Sequence, residues 1–145
     1  MGKANDQLMI VMVEDDAGHA RLIQKNLQRA GITNELKHFE TGKQAIEFFL
    51  GEGAPQVPPP CLILLDLNLP EVDGYEVLTR LKGDARTRTV PVIILTTTDN
   101  PREIDRCYAL GCNVYITKPV EYEKFADSIR KLGLMLAVVR VPNGH

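Results

Sequence analysis

Apolar residues fall along this chain in short unbroken runs, separated by stretches in which they recur every three or four positions. LMIVMV (8–13) is the first run, and EDD follows at once, the pattern of a strand buried on both faces of a parallel sheet. From Asp16 the period lengthens: Ala20, Ile23, Leu27 and Ala30 recur at helical spacing, with Asp16 able to cap the helix and Gly31 to end it. The alternation then repeats. Residues 35–39 read as a weaker strand and 42–50 as a second helix with Ala45, Ile46 and Phe49 inward. GEGAPQVPPP (51–60) is a Pro/Gly-rich spacer, longer than most connections in such folds. Beyond it the pattern predicts strands over 61–66, 90–96 and 113–117, and helices over 75–82, 99–110 and 121–132. Five strands alternating with five helices predict an α/β fold, a doubly wound parallel sheet with right-handed crossovers. Ligands then gather outside the carboxyl ends of the strands.

The polar residues fall where that rule puts a ligand. Glu14 and Asp15 follow the first strand, Asp66 ends the third, Thr96 ends the fourth and Lys118 follows the fifth. Asp66 is the tip of CLILLD, a run built for burial, and a carboxylate taken out of water without a partner costs several kcal/mol. Three carboxylates in one crevice repel one another, so the site raises its own pKa values or collects a cation. An all-oxygen set suits Mg²⁺, which takes one or two carboxylates and keeps several waters. Asp15 and Asp66 as direct ligands, Glu14 through water and the backbone carbonyl of Asn68 make a reasonable set. One oxygen of Asp66 then remains free to attack phosphorus, while Lys118 and the Thr96 hydroxyl meet the charge on the equatorial oxygens.

Composition narrows the setting. At 145 residues the chain suits one domain, and 17 Lys and Arg against 19 Asp and Glu leave a net charge of −2 with no long block of either sign. No broad cationic surface for DNA is advertised. Cys61, Cys107 and Cys112 form an odd set without a repeated close pair, no apolar run approaches about 18 residues, and the amino terminus lacks a basic-then-apolar signal. A cytoplasmic protein with neither membrane span nor export signal is expected. His19, His38 and His145 have no metal-ligand spacing among them, and surface or structural roles are expected for all three.

VEDD (13–16), LLDLNLPEVDG (64–74), VIILTT (92–97) and YITKP (115–119) together resemble a response-regulator receiver domain of two-component signalling, over nearly the whole chain. The resemblance implies a CheY-like (βα)5 fold with sheet order 2-1-3-4-5, and a phosphoacceptor that assists its own phosphorylation rather than a turnover enzyme. It implies Asp66 as phosphoacceptor, Glu14 and Asp15 as the acidic pair holding Mg²⁺, Thr96 as switch hydroxyl, Tyr115 as switch aromatic and Lys118 as phosphate partner. Lys118–Pro119 would be the family's cis peptide. Phosphorylation would draw Thr96 inward and let Tyr115 turn into the vacated space, repacking the face of the fourth helix, fifth strand and fifth helix. Thr97 and Thr98 are bulkier than the alanine or glycine common after the switch threonine, a departure that bears on the hydrolysis rate.

The tail narrows the likeness. LMLAVV (134–139) is more apolar than an exposed tail should be. With residues 1–133 as the receiver and 134–145 as an apolar extension, output is expected by protein contact. The loop at 51–60 and the pattern from Val138 to Pro142 resemble phytochrome-associated single-domain receivers. That likeness implies a light-sensing histidine kinase as partner and a homodimer through the fourth-helix, fifth-strand, fifth-helix face and the tail; packing of the tail on the fifth helix competes with the dimer contact. A haloacid-dehalogenase-type phosphatase also starts from an Asp at a strand end, but it needs a second acid two residues on, where this chain has Asn68. A flavodoxin-like nucleotide binder needs a Ser/Thr/Gly phosphate loop where this chain has EDD, whose charge would repel the phosphate.

Overall fold

A computed structural model describes residues 8–140, with side chains through Leu132. The elements in chain order are β1 (Met9–Val13), α1 (Ala17–Arg29), β2 (Leu36–Phe39), α2 (Gly42–Leu50), β3 (Cys61–Leu65), α3 (Gly74–Lys82), β4 (Val92–Thr96), α4 (Pro101–Leu110), β5 (Val114–Thr117) and α5 (Tyr122–Arg140). The strands form one parallel sheet of order β2-β1-β3-β4-β5, the order expected. Every residue of β1, β3 and β4 is buried, which is why their sequences are unbroken apolar runs, whereas the edge strands β2 and β5 carry half-exposed positions.

Period-two alternation divides the core into two layers. Met9, Val11, Val13, Ile63, Leu65, Val92 and Ile94 face α2, α3 and α4. Ile10, Met12, Leu62, Leu64, Ile93 and Leu95 face α1 and α5, where Ile23, Leu27, Phe125 and Ile129 meet them. Full burial of one such side chain is worth about 1.5–3 kcal/mol, so two filled layers hold the strand ends in a fixed plane. Cys61, Cys107 and Cys112 are buried free thiols, and burial pushes Cys61 and Cys112 up to about 12 and Cys107 up to about 11. They serve as small apolar residues.

Local chemistry starts and stops the helices. Asp16 caps α1 by accepting from the His19 backbone N–H, Thr41 and Gln44 form a reciprocal capping box at α2, Asp73 caps α3, and Asn100 followed by Pro101 opens α4. Gly111 ends α4 at φ 111°, a left-handed backbone that favours glycine. At the carboxyl end the structure departs from the expectation: α5 does not stop near Leu132 but continues to Arg140. No proline or glycine cap stands at 132, and Gly133 is a tolerated interruption in a helix whose period continues through LMLAVV. The contacts expected of the tail fall on side chains outside the described residues, as do Pro142 and His145. Among the described residues no helix is long and apolar enough to cross a membrane.

Candidate phosphoacceptor site

Register brings the strand ends side by side: Val13 pairs with Leu65, Leu65 with Ile94, and Thr96 with Thr117. The residues that follow these positions therefore converge at one edge of the sheet. Glu14 and Asp66 are both buried, as are Thr96 and most of the Lys118 side chain. The peptide between Lys118 and Pro119 is cis, and the Lys118 backbone N–H donates to the Thr96 carbonyl at 2.7 Å.

Lys118 is the hub. Its ammonium donates to Glu14 Oε1 at 2.5 Å, to His19 Nδ1 at 3.0 Å and to Asp66 Oδ2 at 3.3 Å. The other Asp66 oxygen, Oδ1, accepts from the Asn68 backbone N–H at 3.1 Å. Glu14 Oε2 accepts from the Asp16 N–H at 3.1 Å, and the Glu14 carbonyl lies 2.8 Å from His38 Nε2. Burial raises the Glu14 carboxyl above its ordinary range, the Lys118 hydrogen bond pulls it back down, and the neighbouring Asp66 charge adds to the rise. Two buried carboxylates against one ammonium leave the pocket short of positive charge.

That donor set fits a divalent cation. Carboxylate oxygens of Glu14 and Asp66 and the His19 imidazole nitrogen lie within 4.8 Å of one another. The Lys118 ammonium, itself a cation, already sits against all three groups. Asp15, expected as a direct ligand, is exposed and stands outside this trio. Asn68 is exposed, and its side-chain amide has a use that sequence reasoning missed: Nδ2 donates to the hydroxyls of Thr96 at 3.2 Å and Thr97 at 3.3 Å. Thr96 Oγ1 is thereby an acceptor toward Asn68, which leaves its own proton to donate elsewhere.

His19, for which a surface or structural role was expected, is half-exposed and stands against Lys118. It lies on the first turn of α1, a helix that begins at the pocket rim, and that position was the available signal. Tyr115 also differs from the expected resting position: its ring is already buried, and its hydroxyl donates to the Thr98 carbonyl at 2.7 Å. Burial pushes its phenol up to about 12. Beside it, Tyr75 on α3 donates to Glu103 on α4, and the Arg106 guanidinium of α4 stacks 4.0 Å from the Tyr75 ring centre, tying α4 to α3.

A five-stranded parallel sheet with paired acids, a hydroxyl and a lysine at its carboxyl edge defines a receiver. Residues 10–130 match the response regulator receiver domain family, and the chain belongs to that family. Among the relatives are phytochrome response regulators. Response regulator Rcp1 of Synechocystis sp. is 38% identical over 117 residues, covering 80% of this chain and 80% of that protein. The crystal structure of a receiver domain from Rhodospirillum rubrum superposes with a TM-score of 0.77 at 53% identity, covering 90% of this chain and 94% of the other. The bacteriophytochrome response regulator RtBRR superposes at 0.76 and 36% identity, covering 87% and 78%. A receiver domain is a phosphoacceptor signalling module rather than a turnover enzyme; it binds a divalent cation and implies a cognate histidine kinase.

Proposed function

We propose that this chain carries signal by accepting a phosphoryl group on Asp66 from a histidine kinase, and that the kinase is a bacterial phytochrome. The observation that supports the first part best is the posture of Asp66: a buried carboxylate held through one oxygen by the Asn68 N–H and through the other by Lys118. Such fixing removes rotational freedom from the nucleophile before reaction. An Asp66 oxygen attacks phosphorus, an O–P bond forms, and the donor's P–N bond breaks with its electron pair returning to the imidazole of the kinase. Lys118 follows the phosphoryl oxygens as charge accumulates on them, and the Thr96 proton, left free by Asn68, donates to one of them. Glu14, Asp15, Asp66 and the Asn68 carbonyl are the groups that would hold Mg²⁺. Bound there, the ion supplies charge neutralisation between the carboxylates and the incoming phosphoryl group.

With Tyr115 already inward in this structure, phosphorylation would secure that position rather than create it, by drawing Thr96 and the segment through Thr98 toward the phosphoryl group. Partners would read the outcome on α4, β5 and α5. The phytochrome assignment is supported by the relatives named as bacteriophytochrome response regulators. The chemistry is tested by incubating the protein with a small-molecule phosphodonor and Mg²⁺ and reading the intact mass. One added phosphoryl group is expected, removed by hydroxylamine as an acyl phosphate is and absent when chelator replaces the ion. A hydroxylamine-stable adduct would place the group on another residue.

A homodimer through the α4, β5, α5 face and the tail belongs to the same reading. The exposed Tyr108 ring on α4 and the apolar LMLAVV stretch support it. Sedimentation velocity at rising concentration is expected to show a two-chain species; a single monomeric boundary throughout would remove the dimer.

A further inference from the structure

The trio at the pocket contains one group that an all-oxygen Mg²⁺ site does not need. We propose that the His19 imidazole is a ligand of the bound cation, and that it shifts the preference of the site from Mg²⁺ toward transition-series divalent ions that take nitrogen ligands more readily, Mn²⁺, Co²⁺ and Zn²⁺ among them. This rests on the reading of the pocket as the phosphoacceptor site and specifies which cation it selects.

Three observations carry it. The first is the direction of the lone pair. An ammonium has only protons to offer, so the 3.0 Å contact from Lys118 Nζ requires Nδ1 of His19 to be the unprotonated nitrogen. The ring therefore presents a nitrogen lone pair to the pocket, the group through which imidazole binds metals. Second comes distance. His19 Nδ1 lies 4.0 Å from Glu14 Oε2, and the three donor groups lie within 4.8 Å of one another. Bonds of about 2.0–2.2 Å from a shared ion bring donors to within about 4.4 Å, so a small rotation closes the set. The His19 side chain is 41% exposed and has room for that rotation. Third is anchoring: the His19 backbone N–H donates to Asp16 Oδ1 at 2.9 Å, so the first turn of α1 holds the ring over the acids. Lys118 occupies the point among these donors now, which marks it as a place where positive charge is stabilised.

The consequence for selectivity follows from ligand softness. Mg²⁺ gains little from a nitrogen donor and keeps its waters, whereas affinity for an imidazole nitrogen rises along the first-row transition ions, from Mn²⁺ as the least responsive to Co²⁺ and Zn²⁺. His19 thus adds affinity for one class of ion only.

The experiment compares the full chain with His19→Ala. Mn²⁺ binding is read by the electron paramagnetic resonance signal of the free ion, Mg²⁺ binding by calorimetry, and directly bound nitrogen by spin-echo modulation on the Mn²⁺-loaded protein. Expected are imidazole-nitrogen modulation in the parent, its loss in the variant, and Mn²⁺ affinity at least about tenfold weaker while Mg²⁺ affinity moves less than about twofold. A parent that binds both ions without nitrogen modulation overturns the His19 ligand and leaves the phosphoacceptor reading standing. A parent that binds neither ion overturns both. The modulation is measured on the unaltered protein, so the outcome does not depend on how the variant folds.

Discussion

Asp66→Asn is expected to remain folded and to take up no phosphoryl group from any donor, while the parent is labelled once per chain. The amide has no anionic oxygen to attack phosphorus, and Glu14, the other buried acid, is hydrogen-bonded to Lys118 at 2.5 Å and to the Asp16 N–H rather than free at the pocket mouth. Removing one partner of a buried ion pair typically costs about 3–5 kcal/mol because a charge is left unpaired. Here that penalty is largely avoided, since Lys118 keeps Glu14 as its partner, and Glu14, whose carboxyl pKa is raised mainly by burial, is relieved of the added repulsion from Asp66. Intact mass after incubation with phosphodonor, beside a thermal melt of each protein, checks both halves. Stoichiometric labelling of the variant would show that Asp66 is not the acceptor.

Gly74→Ala is expected to give the largest stability loss for the smallest change. A Cβ at this position would stand 2.3 Å from the Asp66 carbonyl oxygen and 2.6 Å from Leu67 Cα, both backbone atoms with no side-chain freedom to yield. The start of α3 presses on the chain just after Asp66, and the Gly74 N–H donates to the Leu67 carbonyl at 3.0 Å. An added methyl must push α3 outward or shift Asp66, and overpacking of this kind costs about 1–3 kcal/mol. Because Val77, Leu78 and Leu81 on α3 are fully buried, the helix cannot retreat without opening the core, which places the cost at the upper end of that range. Denaturant titration should show the lowered midpoint, and the labelling rate should fall as Asp66 moves relative to Lys118. An unchanged midpoint would mean that the contact at the α3 start is not tight.

Asp66 and Gly74 differ in how much of their surroundings shows along the chain. Asp66 stood out at the end of a strand that had no other reason to carry a charge, and Glu14, Thr96 and Lys118 stood at the corresponding places on three more strands. Gly74 shows nothing of its crowding in its neighbours along the chain, because the atoms that crowd it belong to residues Asp66 and Leu67 across a turn. Asn68 is a similar case. Its backbone carbonyl could be named from the sequence as a candidate ligand, but its side-chain bonds to Thr96 and Thr97 join residues that meet only when β3 and β4 lie side by side.

Sequence by itself determined the alternation of strands and helices, the two-layer core and the edge of the sheet that carries the chemistry, because burial on both faces leaves unbroken apolar runs and helices leave a period near four. Tertiary structure alone decided which groups at that edge touch. It turned Glu14 inward and Asp15 out, brought His19 from the first turn of α1 against Lys118, and seated Tyr115 under the Thr98 carbonyl. Periodicity assigns a residue to a face of its element, whereas contact between groups about 3 Å apart depends on how helices and loops settle on the sheet, and only packing sets that.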